Sequence, residues 1–387
     1  MVLYNYLIWN FDPEIFSGFL PVRWYGLFFA LGFILSQQVM FYIFKTEAGT
    51  DLEKRKLGEQ NVESLTLYMI LATIIGARLG HVFFYEPMRY LQDPIRILYI
   101  REGGLASHGA GIGIFIGLWI FAKYRIDLKK NGRYGLFIKK TDRGYTVLQI
   151  IDRIVIVVAL CGSLIRFGNF TNSEIIGKPT NSDNGVVFAH NITSALTYDP
   201  NGKNWIEDVT FEKNENLKSD QAGQVPITIF IKTKAKDYKE ADINSTITGS
   251  LNRQLARFDD HLLEPLDHKL NYKITKENSG YYNIAIDTIA IPRHPAQLYE
   301  SISSAILLVL LLLVWNRKKG ATSTGLLSGI FFTWIFTLRF LYEFLKENQV
   351  AFEDNMALNM GQWLSIPAII TGIALIIYSQ KSQGTGS

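Results

Sequence analysis

Apolar runs long enough to cross a bilayer recur seven times along the chain, near residues 25–44, 65–85, 106–123, 147–165, 299–315, 323–344 and 362–379. A hydrocarbon core of ~30 Å takes ~20 apolar residues in a helix. The pattern predicts an all-α membrane protein with seven transmembrane helices. One stretch, about 179 to 290, breaks it. That stretch is polar and charged, and its apolar runs at 225–232, 270–274 and 281–286 predict strands. Between them, Ile243 to Leu263 has the spacing of an amphipathic helix. The expected organisation is a membrane part over 1–178, an inserted α+β head over 179–290 and a second membrane part with its tail over 291–387. The mixed aromatic and polar stretch before Tyr25 reads as an interfacial lead-in, and Gly384 to Ser387 as a disordered tail.

Charge orients the spans. Short loops rich in Lys and Arg stay in the cytoplasm. Lys45, Lys54, Arg55 and Lys56 follow the first span; Lys123, Arg125, Lys129, Lys130, Arg133, Lys139, Lys140 and Arg143 follow the third; Arg317, Lys318 and Lys319 follow the fifth. The alternate loops are poorer, which predicts the N-terminus outside, the C-terminus inside and the head outside. The net charge of +4 is modest, and the basic residues lie in loops between spans, so nothing marks a nucleic-acid binder. The one cysteine, Cys161, excludes an internal disulfide and CxxC patterns and reads as packing.

Ionisable residues inside lipid are costly and mark function by default. On this topology Tyr25, Arg78, His81, His108, Arg166, Glu300, Arg339 and Glu343, from six spans, all fall at outer ends. Snorkelling arginines explain single cases, and Arg339 with Glu343, four apart, is also compatible with a structural ion pair. Independent snorkelling would populate both interfaces alike. The exception is Asp152-Arg153 near the inner end of the fourth span, which reads as an interfacial anchor.

Three strings gather the polar chemistry. Gly103-Gly104-Leu105-Ala106-Ser107-His108-Gly109-Ala110-Gly111 sets a histidine among glycines, where few bulky neighbours block it. Arg166 to Gly177 packs Arg166, Asn169, Asn172 and Glu174 beside apolar residues, a composition suited to a lipid headgroup: Arg for phosphate, amides for hydroxyls. Arg293-His294-Pro295-Ala296-Gln297-Leu298-Tyr299-Glu300 enters the fifth span, with Pro295 placed to start the helix.

These strings, with Arg23-Trp24-Tyr25-Gly26-Leu27, Gly76-Ala77-Arg78-Leu79-Gly80, Arg339, Glu343 and Met360 to Pro367, resemble the prolipoprotein diacylglyceryl transferases of bacteria. The resemblance covers roughly 10–180 and 288–380. It implies a seven-helix inner-membrane enzyme, active toward the periplasmic leaflet. Such an enzyme moves the diacylglyceryl group of phosphatidylglycerol to the lipobox cysteine of a preprolipoprotein and releases glycerol phosphate. His108 matches the family's essential histidine, and Arg166 and Arg339 its phosphate-handling arginines. Tyr25, Asn169, Glu174, Gly177 and Glu343 match further site residues; Arg78, Asn172, His294, Gln297 and Glu300 join them as candidate substrate-binding residues. No cofactor and no metal is expected. Departures are Ala110 for a second glycine, Ile335 for a functional tyrosine and Arg23 for a common histidine.

The chemistry suits these residue types. Moving a proton from a free thiol to a histidine is uphill by about 2.7 kcal/mol, so His108 is a credible base. A guanidinium stays charged at a lipid boundary and offers a fixed fork to phosphate. The alternative class is a secondary transporter with an outer-side anion site. It calls for repeats and a midplane site, and the chain has no clear repeat.

Overall fold

The structure, a computed structural model, describes residues 5–16, 20–99, 103–130, 133–141, 143–198, 205–219, 221–264, 269–318, 321–347 and 356–384. The expected tail beyond Gly384 and the loop cation Lys319 lie outside these residues. The apolar runs form helices α1 (Trp24–Ala48), α2 (Leu52–Phe84), α3 (Ser107–Lys123), α4 (Val147–Thr171), α5 (Ala296–Lys318), α6 (Leu326–Tyr342) and α7 (Met360–Gly384). Among the described residues, six are long and apolar enough to cross a membrane, α6 with the 3-10 turn that extends it to Leu345. The third predicted span, α3, is shorter at 17 residues. At 1.5 Å per residue it reaches ~25 Å, just under the thickness of a hydrocarbon core.

The chain divides into two compact units. The first comprises Met1–Phe28, Ile165–Ile302 and Arg339–Gln362; the second comprises Phe29–Leu164, Ser303–Leu338 and Trp363–Ser387.

In the second unit, Ile43, Phe44, Leu65, Phe121, Ile150, Ile156, Leu307, Leu311 and Trp315 form a continuous buried core. Helices α2 and α3 cross on glycines. A Cβ on Gly80 would lie 2.6 Å from the Gly109 Cα, and one on Gly113 would lie 2.8 Å from the Gly76 Cα. Side chains there would force the helices apart. A hairpin, Tyr124–Lys130 with Arg133–Lys140, occupies what reads in sequence as a cationic loop. Cys161 packs with its Sγ 3.2 Å from the Ser36 Oγ.

Asp152 and Arg153 are not an interfacial anchor; both are buried. The Asp152 carboxylate accepts from the Gly325 and Ser328 amides at 2.6 and 2.8 Å and from the Ser328 hydroxyl at 2.6 Å. It thus satisfies amides that the first turn of α6 leaves without helical partners. Arg153 pairs with Glu47 at 2.8 Å, and Glu47 also accepts from the Trp315 indole at 2.9 Å. A buried charge requires such partners.

The first unit holds a four-stranded antiparallel sheet of β1 (Ile206–Lys213), β2 (Val225–Thr233), β3 (Asn271–Lys276) and β4 (Tyr282–Ala290), in the order β1-β2-β4-β3. One face is apolar because the strands alternate: Ile227, Ile229 and Ile231 on β2 align with Ile284 and Ile286 on β4. A continuous helical stretch from Glu240 to Phe258 covers it with Ile243, Ile247, Leu251 and Leu255, four residues apart. The three strands expected in this segment are present, and the expected helix is present but ends at Phe258 rather than Leu263, since Leu262 bridges to Ala290; β1 and the helix His190–Thr197 are additions that the sequence pattern did not single out. Strand Tyr6–Trp9 pairs in parallel with Gly185–Phe188. Trp9 packs against Phe170, ring centres 4.4 Å apart and tilted by 35°, and donates its indole N–H to the Phe170 carbonyl at 3.1 Å. The segment before α1 is therefore tied to the end of α4.

Candidate functional site

The second string begins as helix. α4 runs to Thr171, so Arg166 and Asn169 lie one turn apart on it. The Arg166 Nη1 donates to the Asn169 Oδ1 at 3.4 Å. The Asn169 and Asn172 amides converge on the Glu174 carboxylate at 3.3 and 3.2 Å. Gln297, from the first turn of α5, donates to the Glu174 carbonyl. Tyr25 lies within electrostatic reach of Glu174 and Arg166.

Ser173 and Ile175 adopt left-handed backbone, with φ of 53° and 57°. That conformation is strained for a β-branched residue and persists only where packing enforces it. Gly177 closes the turn. Its amide donates to the His294 carbonyl at 3.0 Å, and a Cβ there would lie 2.6 Å from that oxygen and 2.8 Å from the Leu345 carbonyl oxygen. His294 meets the Tyr299 hydroxyl at 3.2 Å through its Nδ1, and burial lowers its pKa. Arg293, almost fully buried, donates to the Gly177 carbonyl at 2.9 Å, to Glu347 at 2.7 Å and twice to the Asp260 carbonyl. It fastens the segment containing the sheet to the turn at Gly177.

A ladder of alternating charge runs through the same unit. The Arg166 Nε lies 2.6 Å from one Glu300 oxygen. The other Glu300 oxygen accepts from the Lys346 ammonium. Lys346 lies 3.5 Å from Glu343, and Glu343 lies 3.8 Å from the Arg339 Nε. The Asn359 amide adds a hydrogen bond to Glu343 at 3.1 Å. The two carboxylates and Lys346 are largely buried, whereas the Arg166 and Arg339 side chains are 28% and 43% exposed. The guanidiniums are therefore the accessible members. In the sequence Lys346 reads only as the loop cation after the sixth span; its place three residues after Glu343 was the available signal.

Arg78, His81 and His108 belong to the second unit. Arg78 is buried and donates to five backbone carbonyls, those of Arg96, Ile97, Tyr99, Gly103 and Gly104, at 2.5 to 3.2 Å. It ties the backbone at 96–99 and at 103–104 to α2. His108 lies in the first turn of α3, exposed, its ring 5.7 Å from Tyr85 and 5.4 Å from Phe84. His81 stacks on the same Tyr85 at 5.4 Å. Among the described residues, no group of three or more His, Cys, Asp or Glu could hold a metal ion.

Among the described residues, six helices long and apolar enough to cross a membrane mark a multi-pass membrane protein, and two of its guanidiniums are backed by carboxylates. The family "Prolipoprotein diacylglyceryl transferase" matches residues 13–378, and the chain belongs to that family. Three relatives are each named phosphatidylglycerol–prolipoprotein diacylglyceryl transferase. That of Tolumonas auensis is 31% identical, covering 97% of this chain and 99% of its own. That of Chloroherpeton thalassium is 30% identical, covering 97% and 96%. That of Porphyromonas gingivalis is 30% identical, covering 100% and 99%. The transporter alternative has no support among these matches.

Proposed function

We propose that this protein transfers the diacylglyceryl group of phosphatidylglycerol to the thiol of a prolipoprotein's lipobox cysteine. The observation that carries the reading, beside family membership, is the ladder: two accessible guanidiniums, each held from behind by a buried carboxylate. In the reaction the thiol sulfur attacks the glyceryl methylene carbon bearing the phosphate. A carbon–sulfur bond forms, the carbon–oxygen bond breaks, and glycerol phosphate departs with the electron pair. The thiol's proton passes to a base, which we assign to His108. The leaving group gains negative charge as the bond breaks. Arg166 and Arg339 act on that charge, and preorganised donors of this kind lower the barrier more than they tighten ground-state binding.

Asn169, Asn172, Glu174 and Gln297 form the headgroup wall, with Tyr25 beside it. Gly177, His294, Glu300 and Glu343 hold its geometry, and Arg78 supports the loop that leads to His108. The proposed topology is seven spans, α3 included, with the N-terminus outside and the C-terminus inside, in a bacterial inner membrane. Residues 179–290 form a periplasmic head between the two membrane parts, and the chemistry lies toward the periplasmic leaflet. The deciding assay combines purified protein, phosphatidylglycerol and a lipobox peptide, read by mass spectrometry. A thioether-linked diacylglyceryl adduct on the Cys peptide, and none on its Cys→Ser counterpart, is the expected result. Intact phosphatidylglycerol after incubation with both peptides would exclude the reaction.

A further inference from the structure

We propose that Lys346 is a positioning residue whose charge leaves Arg166 and Arg339 available to the substrate phosphate; the assignment rests on the transfer reaction above. Its side chain is 7% exposed and lies between Glu300 and Glu343, the carboxylates that hold the two arginines. A buried ammonium needs compensation, and here two acidic groups supply it. The consequence runs in the other direction too. A carboxylate paired with an arginine competes with phosphate for the same guanidinium. Lys346 draws on both carboxylates at once and so weakens their hold on both arginines.

The charge balance makes the role specific. Arg166, Arg339 and Lys346 against Glu300 and Glu343 leave the ladder with one net positive charge; without Lys346 it is neutral. A phosphodiester carries one negative charge, and the departing phosphate monoester carries more. The lysine's contribution is therefore larger in the transition state than in the bound substrate. The backbone holds Lys346 in register: Gly177 pairs with it in an antiparallel bridge, and the neighbouring Lys178 amide donates to the Leu345 carbonyl at 2.7 Å. The glycine turn and the ammonium are thus set by one local pairing.

The test is a set of variants assayed with phosphatidylglycerol and a lipobox peptide, each checked for folding by thermal unfolding in detergent. Lys346→Met should lower kcat by about 100-fold while KM changes far less. Lys346→Arg, which keeps the charge, should retain more than about a tenth of wild-type kcat. The decisive variant is the double substitution Lys346→Met with Glu300→Gln. It restores the net positive charge, and the Gln oxygen can still accept from Arg166. It should recover at least about tenfold over Lys346→Met, whereas a lysine that served only as a structural clip would give no recovery.

If Lys346→Met fails to fold, the double variant is compared with Glu300→Gln alone. Transfer within about tenfold of that single variant supports the role, and loss of transfer overturns it. Wild-type turnover accompanied by an equally active, folded Lys346→Met would overturn the role and leave the reaction standing. A wild-type protein without transfer would overturn both.

Discussion

Arg166 makes two kinds of contact from one side chain: an ion pair with Glu300 through Nε and a hydrogen bond to Asn169 through Nη1. Only a planar fork does both at fixed angles, so Arg166→Lys should lose about 100-fold in transfer. Near-normal turnover of that variant would argue against phosphate clamping. His108 is exposed at the start of α3, so His108→Gln should melt like the wild type and fail to transfer. Substantial residual activity would require another base or direct entry of thiolate. At this scale the grouping of Arg166, Asn169, Asn172 and Glu174 was legible from residue type alone. Lys346 was not, because a lysine after a span reads as a solvated loop cation. Glu343 is three residues away in sequence, but only the folded chain brings Lys346 against Glu300. Arg78 shows the converse: sequence marks the residue, but only the structure reveals that backbone carbonyls take its donors.

At the scale of elements, periodicity located the long helices and the strands β2, β3 and β4. It missed the hairpin at Tyr124–Lys140, whose apolar positions are diluted by lysines. It also ended α4 too early, since polar residues after Ile165 read as a loop although the helix continues to Thr171. The Asp152 cap was hidden for a different reason. An acidic residue near a span's inner end resembles an anchor until its partners, 173 and 176 residues away, are known. Asp152→Ala leaves those amides and the Ser328 hydroxyl without an acceptor and should cost about 1–3 kcal/mol. Asp152→Asn, which keeps an oxygen there, should cost less; the unfolding midpoint in detergent decides the order. The glycine crossing of α2 and α3 gives a sharper test. Gly113→Leu puts side-chain atoms where the Gly76 backbone lies, and α3 carries His108 in its first turn. Loss of transfer with a lowered unfolding midpoint is expected, and an unaffected enzyme would mean that the crossing has room to open.

At the scale of the whole molecule, composition separated a polar insert from apolar spans, but it gave no hint of how firmly the insert is joined. Two contacts carry that information. The apolar face of the sheet shares one core with Tyr6, Val187, Ile192 and Leu196, and the Tyr6 hydroxyl donates to the Pro226 carbonyl at 2.5 Å. Arg293 bonds the Asp260 carbonyl on one side and the Gly177 carbonyl on the other. Replacing residues 199–289 with a short flexible linker, with Gly177 and Arg293 kept, therefore does more than shorten a decoration. It uncovers the apolar side chains beneath the sheet and leaves a buried guanidinium without its Asp260 acceptor, a deficit of the kind that costs several kcal/mol. The unfolding midpoint should fall by more than about 5 °C. Transfer should drop at least about tenfold as the Gly177 turn loses its fastening, since a displacement of about 1 Å in positioned groups is enough to slow chemistry. The two readouts separate the possibilities. A stable protein with full turnover would make residues 199–289 an independent attachment. A stable protein with reduced turnover would point to recruitment of the peptide substrate. The geometry at Arg293 predicts that stability and transfer fall together, and that Arg293→Met in the full-length chain reproduces most of the loss.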